Sequence, residues 1–302
     1  GLAVAFGLVV LVLVNAGYQF DGTFTPAAEL QWRSRTLQGL QQVRVPLLLP
    51  RILLWTLDQS YVVQENPNVG RGNNYLLGEI NHDGRWEAFP LMVLLKTPLA
   101  LFALLAWALL AKAAGPPRRE LALWLLGPPL AWLVFFSLLV KPQIGVRYLL
   151  PAFPFLFVLA ARAALAAGSR ARLARGALLA WYAVSSLSYR PHYISYFNEL
   201  IGSRLDAYRY LADSNLEWED AFHFVSEYRR KHPDRPFAYE PEAPVGGYVL
   251  VSANQLVGIF GTERYRWLRE NFRPVDHVAY GHLLFYVPPE RVEELKRDYG
   301  FP

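Results

Sequence analysis

Apolar residues gather into runs of bilayer length along the N-terminal part of the chain, and Lys, Arg and Trp cluster at the ends of those runs. The clearest runs are 91–111, 121–140 and 148–167. A helix needs about 20 mostly apolar residues to cross a hydrocarbon core. The pattern predicts spanning helices over 1–16, 91–111, 121–140 and 148–167, and a shorter fifth over 172–188 that carries Ser185, Ser186 and Ser188. Between the first two lies a long outer loop, 17–90. Within it, 26–43 repeats Leu30, Leu37 and Leu40 at helical spacing, and 46–57 is apolar but too short to span. Both read as helices lying in a membrane interface. The Gly- and Asn-rich stretch 66–74 reads as an exposed loop.

After residue 188 the pattern changes. Residues 217–231 suit a helix capped by Asp213, Ser214 or Asn215, 247–252 a strand, 263–271 a helix, 277–287 a strand pair or one bent strand, and 290–298 a last helix. The predicted fold class is a membrane all-α helical bundle over 1–188 followed by a small extracytoplasmic α/β domain over 189–302.

Charge sets the orientation. Lys and Arg outnumber Asp and Glu by 30 to 25, for a net charge of +5. Lys112, Arg118 and Arg119 form one basic cluster, and Arg162, Arg170, Arg172 and Arg175 another. Two predicted helices separate them, so both lie on one side, which the positive-inside rule makes cytoplasmic. The excess is thereby assigned to cytoplasmic loops and not to nucleic-acid binding. Residues 17–90, the 141–147 loop and 189–302 then face outward. A mean hydropathy of +0.15 requires a large polar portion, which the C-terminal domain supplies. With no cysteine, disulfides and thiolate metal sites are excluded. The run 1–16 starts without an initiator Met or a basic leader and reads as a spanning helix cut at its start. The chain is therefore expected to be the C-terminal part of something longer, or a separately encoded half. Pro128 and Pro129 in the third run, and Pro151 and Pro154 at the start of the fourth, predict kinks that either pack a bundle or open a groove for a lipid tail.

Three segments carry candidate chemistry. In the first, Tyr75-Leu76-Leu77-Gly78-Glu79 is followed by Trp86-Glu87-Ala88-Phe89-Pro90 and Lys96-Thr97-Pro98. Pro90 suits the first turn of a helix, Trp86 and Phe89 suit an aromatic belt, and Lys96 either snorkels or addresses a lipid phosphate. The second, 141–151, is a tight loop with two cations, Lys141 and Arg147, and Arg147 with its neighbour Tyr148 stands where a helix start favours an anion. The third is Pro191-His192-Tyr193-Ile194-Ser195-Tyr196-Phe197-Asn198-Glu199-Leu200, followed by Asp213-Ser214-Asn215-Leu216-Glu217-Trp218. It reads as an interfacial aromatic turn and a helix cap.

In this order and spacing the segments resemble the C-terminal half of bacterial phospholipid-carrier-dependent glycosyltransferases, of the dolichyl-phosphate-mannose protein mannosyltransferase superfamily. The resemblance runs from about residue 49 to 286 and adds Arg147–Phe155 (RYLLPAFPF) and, more faintly, Val251–Gly261 (VSANQLVGIFG). It departs at Glu87-Ala88, where the family more often has two tyrosines, and at Glu219–Phe222, where it more often has Gly-Gln-Asp-Leu.

The resemblance implies a partial GT-C-like bundle in a bacterial plasma membrane. It implies transfer of a sugar from a polyprenyl-phosphate carrier to a glycan, lipid or protein acceptor on the outer face. Such enzymes carry their acidic catalytic residues in a first outer loop that these residues do not include, so this chain alone is expected to be inactive. Lys96, Lys141, Arg147 and Tyr148 are the candidates for the carrier phosphate. Tyr75, Glu79, His82, Asp83 and Trp86 are candidates for acceptor contact or for a solvated outer loop. No cofactor is predicted; a divalent cation at Glu79, His82 and Asp83 has no ligand pattern to support it. Two other classes stay open: a non-catalytic lipid-binding or scaffolding subunit, and a transporter of lipid-linked sugars.

Overall fold

The computed structural model describes residues 1–65, 74–110, 119–143, 145–218, 222–260 and 263–302. The chain divides into two compact units, Gly1–Arg71 and Gly72–Pro302. The boundary anticipated at 188/189 falls inside the second unit.

In the first unit, helix α1 (Leu2–Gly17) is apolar and exposes most of its side chains. In its last turn Asn15 donates from Nδ2 to Leu11 O and Leu48 O. Residues 24–28 then run antiparallel to 43–47, joined by Phe24 N–H to Leu47 O, Ala27 N–H to Val45 O and Ala28 N–H to Val43 O. Helix α2 (Arg51–Glu65) starts directly after Pro50 and continues well past the apolar stretch 46–57. Ala27, Trp32 and Leu54 form a small core with Leu30, Leu37 and Leu40 around it. The helix expected over 26–43 is absent; two short 3-10 turns, Ala27–Glu29 and Gln38–Gln42, stand there. The reason lies in α2. Buried Asp58 accepts from the N–H groups of Arg33 and Ser34, and Glu65 from those of Arg35 and Thr36. Four consecutive amides are thereby taken from any helix ladder.

The second unit opens with a hairpin, β1 (Asn74–Leu76) against β2 (Glu79–Asn81). Leu77 and Gly78 turn it with φ +52 and +90, the double left-handed geometry that suits strand twist. Helices α3 (Ala88–Lys96), α4 (Leu99–Leu110), α5 (Arg119–Leu139), α6 (Phe153–Ala161) and α7 (Ser169–Leu187) follow. Leu101, Leu104, Ala108, Ala160 and Ala163 form the contact between α4 and the α6 segment, with Leu178 and Tyr182 of α7 against it.

A four-stranded sheet ends the chain: β3 (Phe237–Tyr239), β4 (Gly247–Ser252), β5 (Asp276–Val278) and β6 (His282–Val287), in spatial order β3-β4-β6-β5. β3 and β4 are parallel, and the other pairs antiparallel with Val249 opposite Phe285 and Leu250 opposite Leu284. Strand alternation sorts the core. Leu250 and Leu284 face Val225 of α8 (Phe222–Lys231). Val249, Val251, Leu283, Phe285 and Val287 face the other way, toward α9 (Ala253–Val257), α10 (Arg266–Asn271) and α11 (Val292–Tyr299). That second face is continuous with Tyr75, Met92, Leu149 and Phe197, so one core joins hairpin, helices and sheet.

The expected membrane all-α helical bundle is overturned; the fold is mixed α/β. Among the described residues one helical stretch, Val146–Leu165, is long and apolar enough to cross a membrane. The run expected over 91–111 is not one straight helix: α3 and α4 meet at 99°. Pro98 is the cause: the residue before a proline avoids the α region, and Thr97 is extended at φ −109, ψ 132. The apolar parts of α1 and α5, Val4–Gly17 and Leu123–Leu139, are shorter, and α7 carries Arg170, Arg172 and Arg175. The expected outer loop 17–90 holds a hairpin, β1 and β2. Lys112, Arg118 and the stretch 66–73 lie outside the described residues.

Candidate functional site

The site begins where α3 ends. Its last carbonyls need donors, and Asn198 supplies them: its backbone N–H binds Leu95 O at 2.8 Å, and its Nδ2 binds Leu94 O and Thr97 O. Asn198 is 2% exposed, so this cap ties the aromatic turn 191–200 firmly to α3. Lys96 makes the next tie. Its Nζ donates to Ile194 O and to Asn215 O, each at 2.6 Å, and lies 4.5 Å from the centre of the Phe197 ring. An ammonium has three N–H bonds; two of them hold the protein together.

Asn215 carries the link onward. It is buried, and its Oδ1 accepts from Val146 N–H at 3.2 Å while its Nδ2 donates to Ala212 O. Val146 starts the helical stretch that holds Arg147, so one asparagine fixes both cations. Arg147 is exposed. Its guanidinium stands 5.0 Å from the Trp218 ring centre and 5.6 Å from that of Tyr148, with no carboxylate within 4.0 Å among the described residues. Tyr148 itself stacks on Phe136 and meets Phe89 edge-on, so its ring belongs mainly to the core.

Lys96 and Arg147 together line a groove of about 370 Å³ whose walls are largely apolar, including Leu150, Ile194, Tyr182 and Trp218. Tyr182 also lines a second apolar groove, of about 450 Å³, between α4, the α6 segment and α7. Arg175 closes part of that groove, with its guanidinium donating to Ala163 O and Ala166 O. Asp213 stands within electrostatic reach of Arg147. Burial holds its carboxyl above the usual range, and Arg147 and bonds from Ser214 oppose the shift.

The other predicted residues lie elsewhere. Lys141 pairs with Asp83 at 3.6 Å. Arg85 bridges Glu79, at 2.8 Å, and Glu87. Below them Asn74 and Gln143 link the segments: Gln143 N–H donates to Asn74 Oδ1, Asn74 Nδ2 to Lys141 O, and Arg85 N–H to Gln143 Oε1. Gly84 is required at this junction, because its φ is +77 and a Cβ would meet Lys141 O at 2.9 Å. These residues tie the hairpin to the 141–143 loop. His82 and Trp86 are exposed. Tyr75 is buried and faces a separate polar cavity. Among the described residues no group of three or more His, Asp or Glu has the geometry of a metal site. Asn198 is a positioning residue that sequence reasoning left without a role, and Asn215, read there as a candidate helix cap, instead holds Lys96 and Val146.

Compared with known proteins, no family model, no curated protein and no solved structure matches the chain.

Proposed function

We propose that this chain carries the donor-lipid part of a glycosyltransferase, one that moves a sugar from a polyprenyl-phosphate carrier to a glycan, lipid or protein acceptor. The supporting observation is the meeting of Lys96 and Arg147 over one apolar-walled groove that shares Tyr182 with a second apolar groove. A phosphate with a long hydrocarbon tail matches the cations of the first groove and the apolar lining of the second. Exposed apolar side chains on α5 and α7, among them Leu130, Phe135, Leu138, Leu179 and Val184, favour contact with lipid. The colinear motifs point to the same chemistry.

In such a transfer an acceptor oxygen attacks the anomeric carbon, and the bond from that carbon to the phosphate oxygen breaks. The carrier departs as a phosphate with one more negative charge, and the acceptor proton goes to a base. Arg147, with no carboxylate within 4.0 Å among the described residues, suits a two-pronged bond to that phosphate as its charge grows. Lys96 lines the same groove.

The test is a native mass-spectrometric titration of the chain in detergent micelles. Polyprenyl phosphate is expected to bind at least about tenfold more tightly than the matching polyprenol, the scale of one charge-assisted bond. Arg147→Ala is expected to erase most of that difference. Equal affinity for the two lipids, or an unaffected Arg147→Ala variant, refutes the reading.

A further inference from the structure

A second cavity, of about 510 Å³, lies in the same unit and shares no residue with the two grooves above. Its lining is mainly polar: Tyr75, Tyr208, Arg209, Arg269, Asn271 and Arg273, closed on one side by the Leu77-Gly78 hairpin turn. Three guanidiniums converge here, and they differ in commitment. Arg269 is locked, with Nη1 donating to Leu256 O and Nη2 to Glu263, each at 2.9 Å. Among the described residues Arg209 hydrogen-bonds only through Nε, to Asp206 at 3.0 Å and to the Tyr208 hydroxyl at 3.3 Å. Arg273 is exposed and has no carboxylate within 4.0 Å among the described residues. Glu270, the one acid on the lining, is engaged by Arg266 and by the Tyr299 hydroxyl. The cavity therefore carries surplus positive charge with unspent donors.

The remaining wall suits a polyhydroxylated body. Asn271 uses its Nδ2 on Trp267 O and the Tyr299 hydroxyl, which leaves its Oδ1 as an acceptor. Both tyrosines are buried residues that present polar tips at the edge of the cavity. The volume falls within the range of small-molecule sites, roughly 300–1,000 Å³, and exceeds the needs of a bare phosphate.

We infer that this cavity binds a phosphorylated sugar, its phosphate held by Arg273 and the free Nη groups of Arg209, and its hydroxyls by Asn271 and the tyrosines. The inference does not depend on the carrier-lipid reading.

Isothermal titration of the full chain with glucose 6-phosphate, glucose and inorganic phosphate tests it. Glucose 6-phosphate is expected to bind most tightly. Arg273→Ala and Arg209→Ala are each expected to weaken it about tenfold or more, and Arg273→Glu to abolish it. Lys231→Ala, on α8 and outside the cavity, should titrate like the parent. Absence of glucose 6-phosphate binding overturns the inference, as does equal binding by Arg273→Ala and Arg209→Ala. Inorganic phosphate or glucose binding as tightly as the ester overturns it too, because the site would then not recognise the two parts together.

Discussion

Lys96 and Arg147 border the same groove but do different work, and one pair of variants separates them. Lys96→Met keeps the length of the side chain and removes the ammonium. Two carbonyls, Ile194 O and Asn215 O, lose donors that now sit at 2.6 Å, and Phe197 loses the cation over its ring. Bonds from a charged donor contribute about 1.5–3 kcal/mol each. Against this stands relief from desolvating an ammonium, which offsets part of the loss. The net cost is expected to be about 2–4 kcal/mol, which for a unit of this size lowers Tm by roughly 5–15 °C. Arg147→Ala removes an exposed side chain whose contacts are the faces of Trp218 and Tyr148. Its effect on stability should stay within about 1 kcal/mol. Thermal unfolding followed by near-ultraviolet circular dichroism reads both. Polyprenyl-phosphate affinity, measured where both variants are folded, should fall more for Arg147→Ala than for Lys96→Met. If Lys96→Met melts with the parent, or if both variants shift Tm alike, the division into clamp and ligand-facing cation is wrong.

Asn198→Ala strips the carbonyls of Leu94 and Thr97 of their donor and should destabilise the unit by about 1–3 kcal/mol, seen as a lower urea midpoint; an unchanged midpoint would count against the α3 cap. Gly84→Ala forces a left-handed Cβ to within 2.9 Å of Lys141 O and should cost about 1–3 kcal/mol, with faster hydrogen exchange at the Arg85 amide; parent-like exchange there would show that the junction is loose. For Asp213, burial raises the folded pKa above the ordinary value of 3.8. Between those two values the folded state binds more protons than the unfolded one, so this group's contribution is present below 3.8 and is lost as pH rises through the folded value. Asp213→Asn keeps a side-chain oxygen for Ser214 and tolerates the φ of +58. It should flatten that fall in urea-unfolding stability against pH, and a slope identical to the parent's would refute the assignment.

Local pattern determined the C-terminal elements. β4 occupies the residues its alternation indicates, α10 and α11 lie within a few residues of their predicted bounds, and 277–287 resolves into β5 and β6. In these stretches the predicted strands are completed by their neighbours, β4 pairing with β6 over its whole length from Gly247 to Ser252. Across 26–43 a helical spacing of leucines met competition: Asp58 and Glu65, some 24 to 30 residues away, take the amides of 33–36. In 91–111 the apolar length suggested one span, yet Pro98 bends the path by 99°, a local signal that hydropathy averaged over the run conceals.

The candidate site was legible only as residue types. That Lys96 and Arg147 carry charge at the edges of apolar runs is written in the chain. That they share a groove, while Lys141 is drawn off to Asp83, depends on Asn215, which binds Lys96 across a separation of 119 residues and Val146 across 69. Closing such long loops is a matter of the whole core, from Tyr75 through Phe197 to Phe285, and no local period encodes it.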